Sequence, residues 1–314
     1  MNIVFLMDQM VTIKKEKDTS FAFMEGAAKR GHAVFYLNRD GLSLHHGELH
    51  ARVLRVQPDR AASPPFQIFE GTVLSGSQID AVFIRTDPPF NQEYLLHTWL
   101  LEHLPKTTPV INRPSGIRTV NEKIWAMQFT DLQPTGLLTQ HYDDAAQFLA
   151  EFGRAIMKPT DGFGGMGVFD VRQDDSNARV IFETLSNHGS NHVIIQQHVP
   201  EAATGDKRIL LLGGEPLGAV LRVHGQEDHR NNFFAGGRPQ PTEITERDLQ
   251  IIGVLRPYLR ELGLHFVGID VIGNFLIEVN VTSPTCLQEM NAIYGRTLED
   301  EVIRYIEDLA ESYA

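Results

Sequence analysis

Residues 268–280 hold three hard oxygen donors at short spacing: Asp270, Glu278 and Asn280. They sit in two apolar runs broken by Gly273-Asn274, a pattern that reads as a β-hairpin. A three-residue loop over 273–275 sets Asp270 opposite Glu278. A two-residue loop would set Asp270 opposite Ile277 and mix polar with apolar side chains on each face, so the three-residue loop is expected. Asn280 then shares the face of Glu278, while Ile269, Val271, Ile277 and Val279 turn to a core. Two carboxylates and an amide oxygen suit Mg²⁺, with Mn²⁺ as its substitute, held jointly with phosphates and water. Carboxylates this close repel one another without a cation between them, and no lysine or arginine alternates with them here.

A second group suits phosphate. Gly162, Gly164, Gly165 and Gly167 match G-x-G-x-x-G. A dinucleotide site needs a strand before that motif and a helix after it. Residues 155–158 supply the strand, but 168–172 alternate as another strand. The expected form is a glycine loop between two strands, closing over phosphates with its backbone N–H groups. Lys158 ends the first strand, and Lys123 falls on a helix expected over 119–129. Each can set a compact positive charge on ATP phosphates. Arg208 and Arg222 fall on the arms of a hairpin that turns at Gly213-Gly214, and Arg230 falls in a long segment over 224–241. Guanidinium forks suit carboxylate and phosphate, and stabilise the charge of a transferring phosphoryl group. The sequence holds no G-x-x-x-x-G-K-[ST], H-E-x-x-H, C-x-x-C or G-x-S-x-G, and its thirteen histidines are scattered, so none is assigned to metal.

The elements that must position these residues fall into three blocks. Residues 1–121 alternate strand and helix, with strands expected at 2–7, 32–37, 81–84 and 109–111 and helices at 19–30 and 94–104. A polar hairpin with turns near Asp40-Gly41 and Gly47 is expected after the second strand. This alternation predicts a Rossmann-like open parallel sheet. Residues 122–199 carry the glycine loop and strands at 155–158, 168–172 and 193–197, and 200–314 carry the two glycine-turned hairpins. Between those hairpins, Thr245 and Asp248 form a capping box, and an amphipathic helix over 297–309 closes the chain. The class is α/β, passing to α+β in the C-terminal part. Residues 224–241 lack apolar periodicity, as a lid does. A net charge of −12 argues against nucleic acid and anionic membrane as main partners, and no run approaches the length of a membrane span. The single cysteine, Cys286, rules out an intramolecular disulfide, fits a cytoplasmic location and reads as a packed small residue.

In this order, the lysine helix, the strand–Lys-Pro–glycine loop and the Asp-x7-Glu-x-Asn hairpin resemble the ATP-grasp superfamily. Arg85-Thr86-Asp87-Pro88-Pro89-Phe90, Asn121-Glu122-Lys123, Asp206-Lys207-Arg208, Ala235-Gly236-Gly237-Arg238 and Val281-Thr282-Ser283-Pro284-Thr285 narrow the resemblance to the bacterial glutathione synthetase family, over essentially the whole chain. The resemblance implies an ATP-grasp fold behind a Rossmann-like domain. It implies a carbon–nitrogen ligase that joins γ-glutamylcysteine to glycine through an acyl phosphate, with ATP as co-substrate. It also implies a homotetramer or homodimer. By the same resemblance, Gln196, Gln197, His198 and Val199 form the hinge that meets adenine, and Asp206 and Arg208 line the nucleotide and phosphoryl site. Arg222 faces the acyl phosphate, and Arg85, Arg230, Asn232 and Ser283 lie near the peptide substrate.

Overall fold

The computed structural model describes residues 1–162, 164–223 and 237–313. The chain opens with β1 (Asn2–Met7), whose last five side chains are all buried. Such an unbroken apolar run belongs to a strand covered on both faces. Asp18 caps α1 (Thr19–Lys29) by accepting from the Phe21 N–H, and Gly31 ends the turn at φ +85°. β2 (Ala33–His45), β3 (Glu48–Pro58), β4 (Phe66–Ser75), β5 (Ala81–Arg85), α2 (Gln92–Leu101) and β6 (Val110–Ile111) follow. The sheet order is β4-β3-β2-β1-β5-β6. The four strands from β2 to β6 are parallel, as the alternation predicts, but β3 and β4 add an antiparallel meander. β2 and β3 form the polar hairpin that the sequence predicts, while β4 is exposed throughout 67–73 and shows no buried alternation that would mark it as a strand. Asp40-Gly41 is not a turn: it lies inside β2, where the register with β3 slips between Leu37 and Leu42. The turn is His46-Gly47, both residues at positive φ.

The helix expected over 119–129 is absent. α3 (Pro114–Thr119) stops short, and a single 3₁₀ turn spans Trp125–Gln128. Between them Asn121 Oδ1 accepts from the N–H groups of Lys123 and Ile124, a local side-chain turn that competes with helix. The next sheet comprises β7 (Gly136–Thr139), α4 (Tyr142–Phe152), β8 (Arg154–Pro159), β9 (Phe169–Arg172), α5 (Ala178–Leu185) and β10 (Val193–Gln197). Its strands run antiparallel in the order β7-β10-β8-β9, and Phe148, Met157, Phe182 and Ile195 give it a core of its own.

The third sheet comprises β11 (Asp206–Leu212), β12 (Glu215–Val223), β13 (Arg238–Gln240), α6 (Glu246–Glu261), β14 (Phe266–Ile272) and β15 (Phe275–Asn280), followed by α7 (Leu287–Tyr294) and α8 (Leu298–Tyr313). Its order is β13-β12-β11-β14-β15. β13 occupies the end of the segment expected as a lid; residues 224–236 lie outside the described residues. The capping box of α6 is present, with Thr245 and Asp248 bonded reciprocally. The first and third sheets share their cores. Phe23 meets Phe266 edge-on at 5.0 Å, and Val302, Ile303 and Ile306 of α8 pack into the same cluster as Phe21 and Met24. Among the described residues no helix is long and apolar enough to cross a membrane.

Candidate functional site

The β14–β15 hairpin pairs Asp270 with Glu278, as the sequence predicts, but by another route. The turn has two residues, since Ile272 pairs with Phe275 and Val271 with Leu276. A β-bulge at Ile277 then restores the Asp270–Glu278 pairing. Its cost is Ile277, which faces the cavity rather than the core, while Leu276 is fully buried in its place.

A cavity of about 280 Å³ lies where residues from all three sheets converge. Asp270, Glu278, Asn280, Arg208, Arg222, Lys123 and Lys158 all line it. The repulsion expected between bare carboxylates does not arise, because the protein supplies the cations. Arg208 donates Nε to Asp270 Oδ1 at 2.5 Å and Nη2 to Oδ2 at 3.0 Å. Arg222 reaches Asp270 Oδ2 at 2.9 Å and grips Asp206 with Nε and Nη2 at 2.5 and 2.9 Å. Register explains this: Asp206 pairs with Arg222 across β11–β12, and Arg208 with Asp270 across β11–β14. Burial alone would raise the Asp270 carboxyl, but Arg208 and Arg222 overcome it and hold it well below the carboxylate range. Asp206 moves the other way, because burial outweighs Arg222.

Lys123 Nζ pairs with Glu278 Oε1 at 2.9 Å and donates to the Gly162 carbonyl. Burial lowers its pKa, but Glu278 outweighs that and raises it. Lys158 is 6% exposed and donates to Gln196 Oε1 at 3.1 Å; burial brings its pKa down to about 8, against the pull of Glu278. The glycine loop joins β8 to β9 with no helix after it. Gly164, Gly165 and Gly167 take positive φ, and a Cβ on Gly162 would stand 2.7 Å from the Pro159 ring.

The donor set fits a divalent cation. Asn280 commits Nδ2 to the Gly268 carbonyl at 3.3 Å and lies 3.5 Å from Asp270 Oδ2, which leaves Oδ1 as its free acceptor. Glu278 uses Oε1 for Lys123, and its Oε2 is the other hard donor. Asp270 can join only by sharing its oxygens with the two arginines.

Gly162, Gly164, Gly165, Gln196, Gln197, His198, Val199, Asp206 and Ser283 also line the cavity. Arg85 does not. Its guanidinium is buried behind the 283–286 turn, donating to Ser20 Oγ and the Pro284 carbonyl at 3.0 Å each. It lies 5.7 Å from the Phe23 ring centroid and 5.8 Å from that of Phe266. Arg230 and Asn232 fall outside the described residues. Cys286 lines the cavity but is 1% exposed, and burial raises its thiol pKa against Arg208 and Arg222, as suits a packed residue.

Two acidic cavity residues lie within the sequence motifs but take no site role from the sequence. Glu122 Oε1 accepts from the Val281 N–H at 2.8 Å, the Thr282 N–H at 3.1 Å and the Thr282 hydroxyl at 2.9 Å. Its own carbonyl accepts from the Val279 N–H. It thereby fixes the end of β15, which carries Asn280, and the 281–282 segment that leads to Ser283. Glu122→Ala strands three donors and should cost about 2 kcal/mol of stability. Glu122→Gln keeps an acceptor oxygen and should restore most of that in urea melts; equal damage by both would mean that the charge, not the acceptor, matters. The other is Asp87, at the cavity rim just beyond β5. Neither carries a spacing signal, because their partners are distant in sequence.

The comparisons agree with this geometry. Residues 1–118 match the model of the prokaryotic glutathione synthetase N-terminal domain, and 122–295 match that of the prokaryotic glutathione synthetase ATP-grasp domain. Glutathione synthetase of Gloeobacter violaceus is 42% identical over 98% of this chain and 96% of that protein. Among solved structures, the D-cycloserine synthetase DcsG superposes with a TM-score of 0.69 at 15% identity, covering 99% of this chain and 100% of its own. The ATP-grasp ligase PsnB, complexed with a precursor peptide and AMPPNP, gives 0.64 at 15% identity, covering 98% of each chain. At those identities the structures speak for the fold alone. Two family models spanning nearly all the sequence, and a relative matched along its length, show that the chain belongs to the prokaryotic glutathione synthetase family, ATP-dependent ligases of the ATP-grasp fold.

Proposed function

We infer that the chain joins γ-L-glutamyl-L-cysteine to glycine, consuming ATP and releasing glutathione, ADP and phosphate. The observation that carries this is the convergence of Lys123, Lys158, Arg208 and Arg222 on one cavity with Asp270, Glu278 and Asn280, in a chain that matches both family models. A carboxylate is a poor acyl donor. Transfer of the γ-phosphoryl group to the cysteinyl carboxylate gives ADP and an acyl phosphate; the glycine amine adds to that carbonyl, and phosphate leaves. Lys123 and Lys158 hold the ATP phosphates under the N–H groups of Gly162, Gly164 and Gly165, and the backbone over 196–199 receives adenine. Asp206 and Arg208 border the phosphoryl group, and Arg222 stabilises the acyl phosphate. Ser283 contacts the peptide together with Arg230 and Asn232, and Arg85 acts through the Ser283-Pro284 turn that it supports. Glu278, Asn280 and, in part, Asp270 hold Mg²⁺, which when bound neutralises phosphate charge.

In this reading 1–121, 122–199 and 200–314 act as three units, with the middle one closing over nucleotide. The protein works in the cytoplasm as a homotetramer or homodimer. The test is ADP release by a coupled assay with Mg·ATP, γ-glutamylcysteine and glycine, omitting each in turn. Turnover that needs all three supports the reading; turnover with other acceptors only would leave the ligase and remove the substrate.

Lys158 gives this reading a pH signature. Bound phosphates favour its protonated form, while the free site loses that proton above about pH 8. The ATP affinity it supplies is therefore complete below pH 8 and falls as pH rises past it, toward roughly tenfold per unit. KM for ATP should show that limb in the unmodified protein. Lys158→Met should bind ATP more weakly with a flat profile, and a limb that persists in it would assign the proton elsewhere.

A further inference from the structure

Five carboxylates line the cavity: Asp87, Glu122, Asp206, Asp270 and Glu278. Four are engaged. Asp206 and Asp270 hold arginines, Glu278 holds Lys123, and Glu122 holds the 281–282 backbone. Among the described residues Asp87 forms neither a salt bridge nor a backbone hydrogen bond through its carboxylate, which the Ser283 hydroxyl approaches. Its mount is nonetheless rigid. The Asp87 N–H donates to Asp8 Oδ2 at 2.9 Å, and its carbonyl accepts from Arg39 Nη2 at 3.1 Å. The side chain is solvent-exposed at the rim, yet the cleft walls desolvate the carboxylate enough to raise its pKa; Arg85 opposes this and Asp8 adds to it. An anion held in place, partly desolvated and short of a counter-charge favours a cationic ligand group.

We propose that Asp87 binds the α-ammonium of the γ-glutamyl residue and so selects the acyl-donor substrate; this rests on the synthetase reading above. Both amino-acid substrates bring an ammonium group to the cavity, and their chemistry separates them. The glycine nitrogen must shed its proton to attack, and a fixed carboxylate paired with it would oppose that loss. The γ-glutamyl ammonium stays charged throughout and sits at the end of the dipeptide remote from the reacting carboxylate. Asp87 enters the cavity from the loop just beyond β5 of the first sheet, whereas the arginine cluster belongs to the third sheet and Gln196 and Gln197 end β10 of the second.

The experiment compares kcat/KM for γ-glutamylcysteine with that for glutarylcysteine, which lacks only the amino group, in the unmodified protein and in Asp87→Asn and Asp87→Ala. The unmodified protein should prefer γ-glutamylcysteine by roughly 10- to 100-fold, the range of a hydrogen bond to a charged group. Both variants should reduce that preference to below about threefold, through KM for the dipeptide and not KM for glycine. Thermal melts report whether each variant is folded. A preference retained in both variants, or a loss that falls on KM for glycine, overturns the assignment while leaving the synthetase reading intact. Absence of turnover of γ-glutamylcysteine by the unmodified protein would remove the synthetase reading and this assignment with it.

Discussion

Glu278→Gln should lower kcat by about 10³-fold or more, in line with the loss of one essential charge-stabilising group in a phosphoryl-transfer site. The substitution is nearly isosteric, so the bulge at Ile277 and the pairing with Asp270 should survive it. Two things are lost together. In the proposed reading the carboxylate no longer offers an anionic donor to Mg²⁺, and Lys123 no longer has its partner at 2.9 Å. Stability should change little, since the Glu278 side chain is 21% exposed and a partly solvated ion pair contributes about 1 kcal/mol at most. ADP release measured against Mg²⁺ concentration, with a thermal melt alongside, checks both halves. A variant with undiminished turnover and the same Mg²⁺ dependence would remove Glu278 from the metal set.

Arg222→Met is expected to damage both folding and chemistry. Arg222 is the shared partner of Asp206 and Asp270, and all three are buried or nearly so. Removing the cation leaves two acids against each other beside Arg208 alone, and breaking a buried pair from one side typically costs about 3–5 kcal/mol. In the proposed reading the same guanidinium stabilises the acyl phosphate, so kcat should fall by roughly 10²- to 10³-fold. Arg222→Lys separates the effects. It restores a positive charge and much of the stability, but a point charge cannot replace the fork that grips Asp206 and Asp270 at once. Denaturant melts should therefore show recovery where kcat does not. Recovery of both would reduce Arg222 to a structural counter-ion.

Much of this site was legible because its chemistry is local. The hairpin with Asp270 and Glu278 announces itself through apolar alternation and Gly273-Asn274, and the glycine loop through residues that only a crowded, positive-φ turn requires. The pairing of Asp270 with Glu278 came out correctly although the turn did not. Keeping both acids on one face constrains the register, and a longer loop and a shorter loop with a bulge satisfy that constraint equally. What stayed hidden depends on distant partners. Nothing near Asp270 reveals that Arg208 and Arg222 neutralise it, because that follows from the alignment of β11 with β12 and β14. The helix misread around Lys123 has a similar cause. Asn121 closes its own turn and also donates to the Thr160 carbonyl, while Glu122 is committed to residues 281 and 282. Helix-forming residue types gave way there to tertiary hydrogen bonds.

The shared core of the first and third sheets bears on how the chain becomes compact during synthesis. Residues 136–197 hold all the partners their sheet needs and can close around Phe148, Met157 and Phe182 as soon as they emerge. The N-terminal strands cannot do the same. Phe21, Phe23 and Met24 are made early, yet they pack against Phe266, Val302 and Ile306, which are made near the end. Until then a large apolar face stands open, the condition under which nascent chains aggregate or engage chaperones. The order in which these elements can condense therefore differs from the order in which they are translated: Phe21, Phe23 and Met24 reach their final surroundings only after Phe266, Val302 and Ile306 have been made.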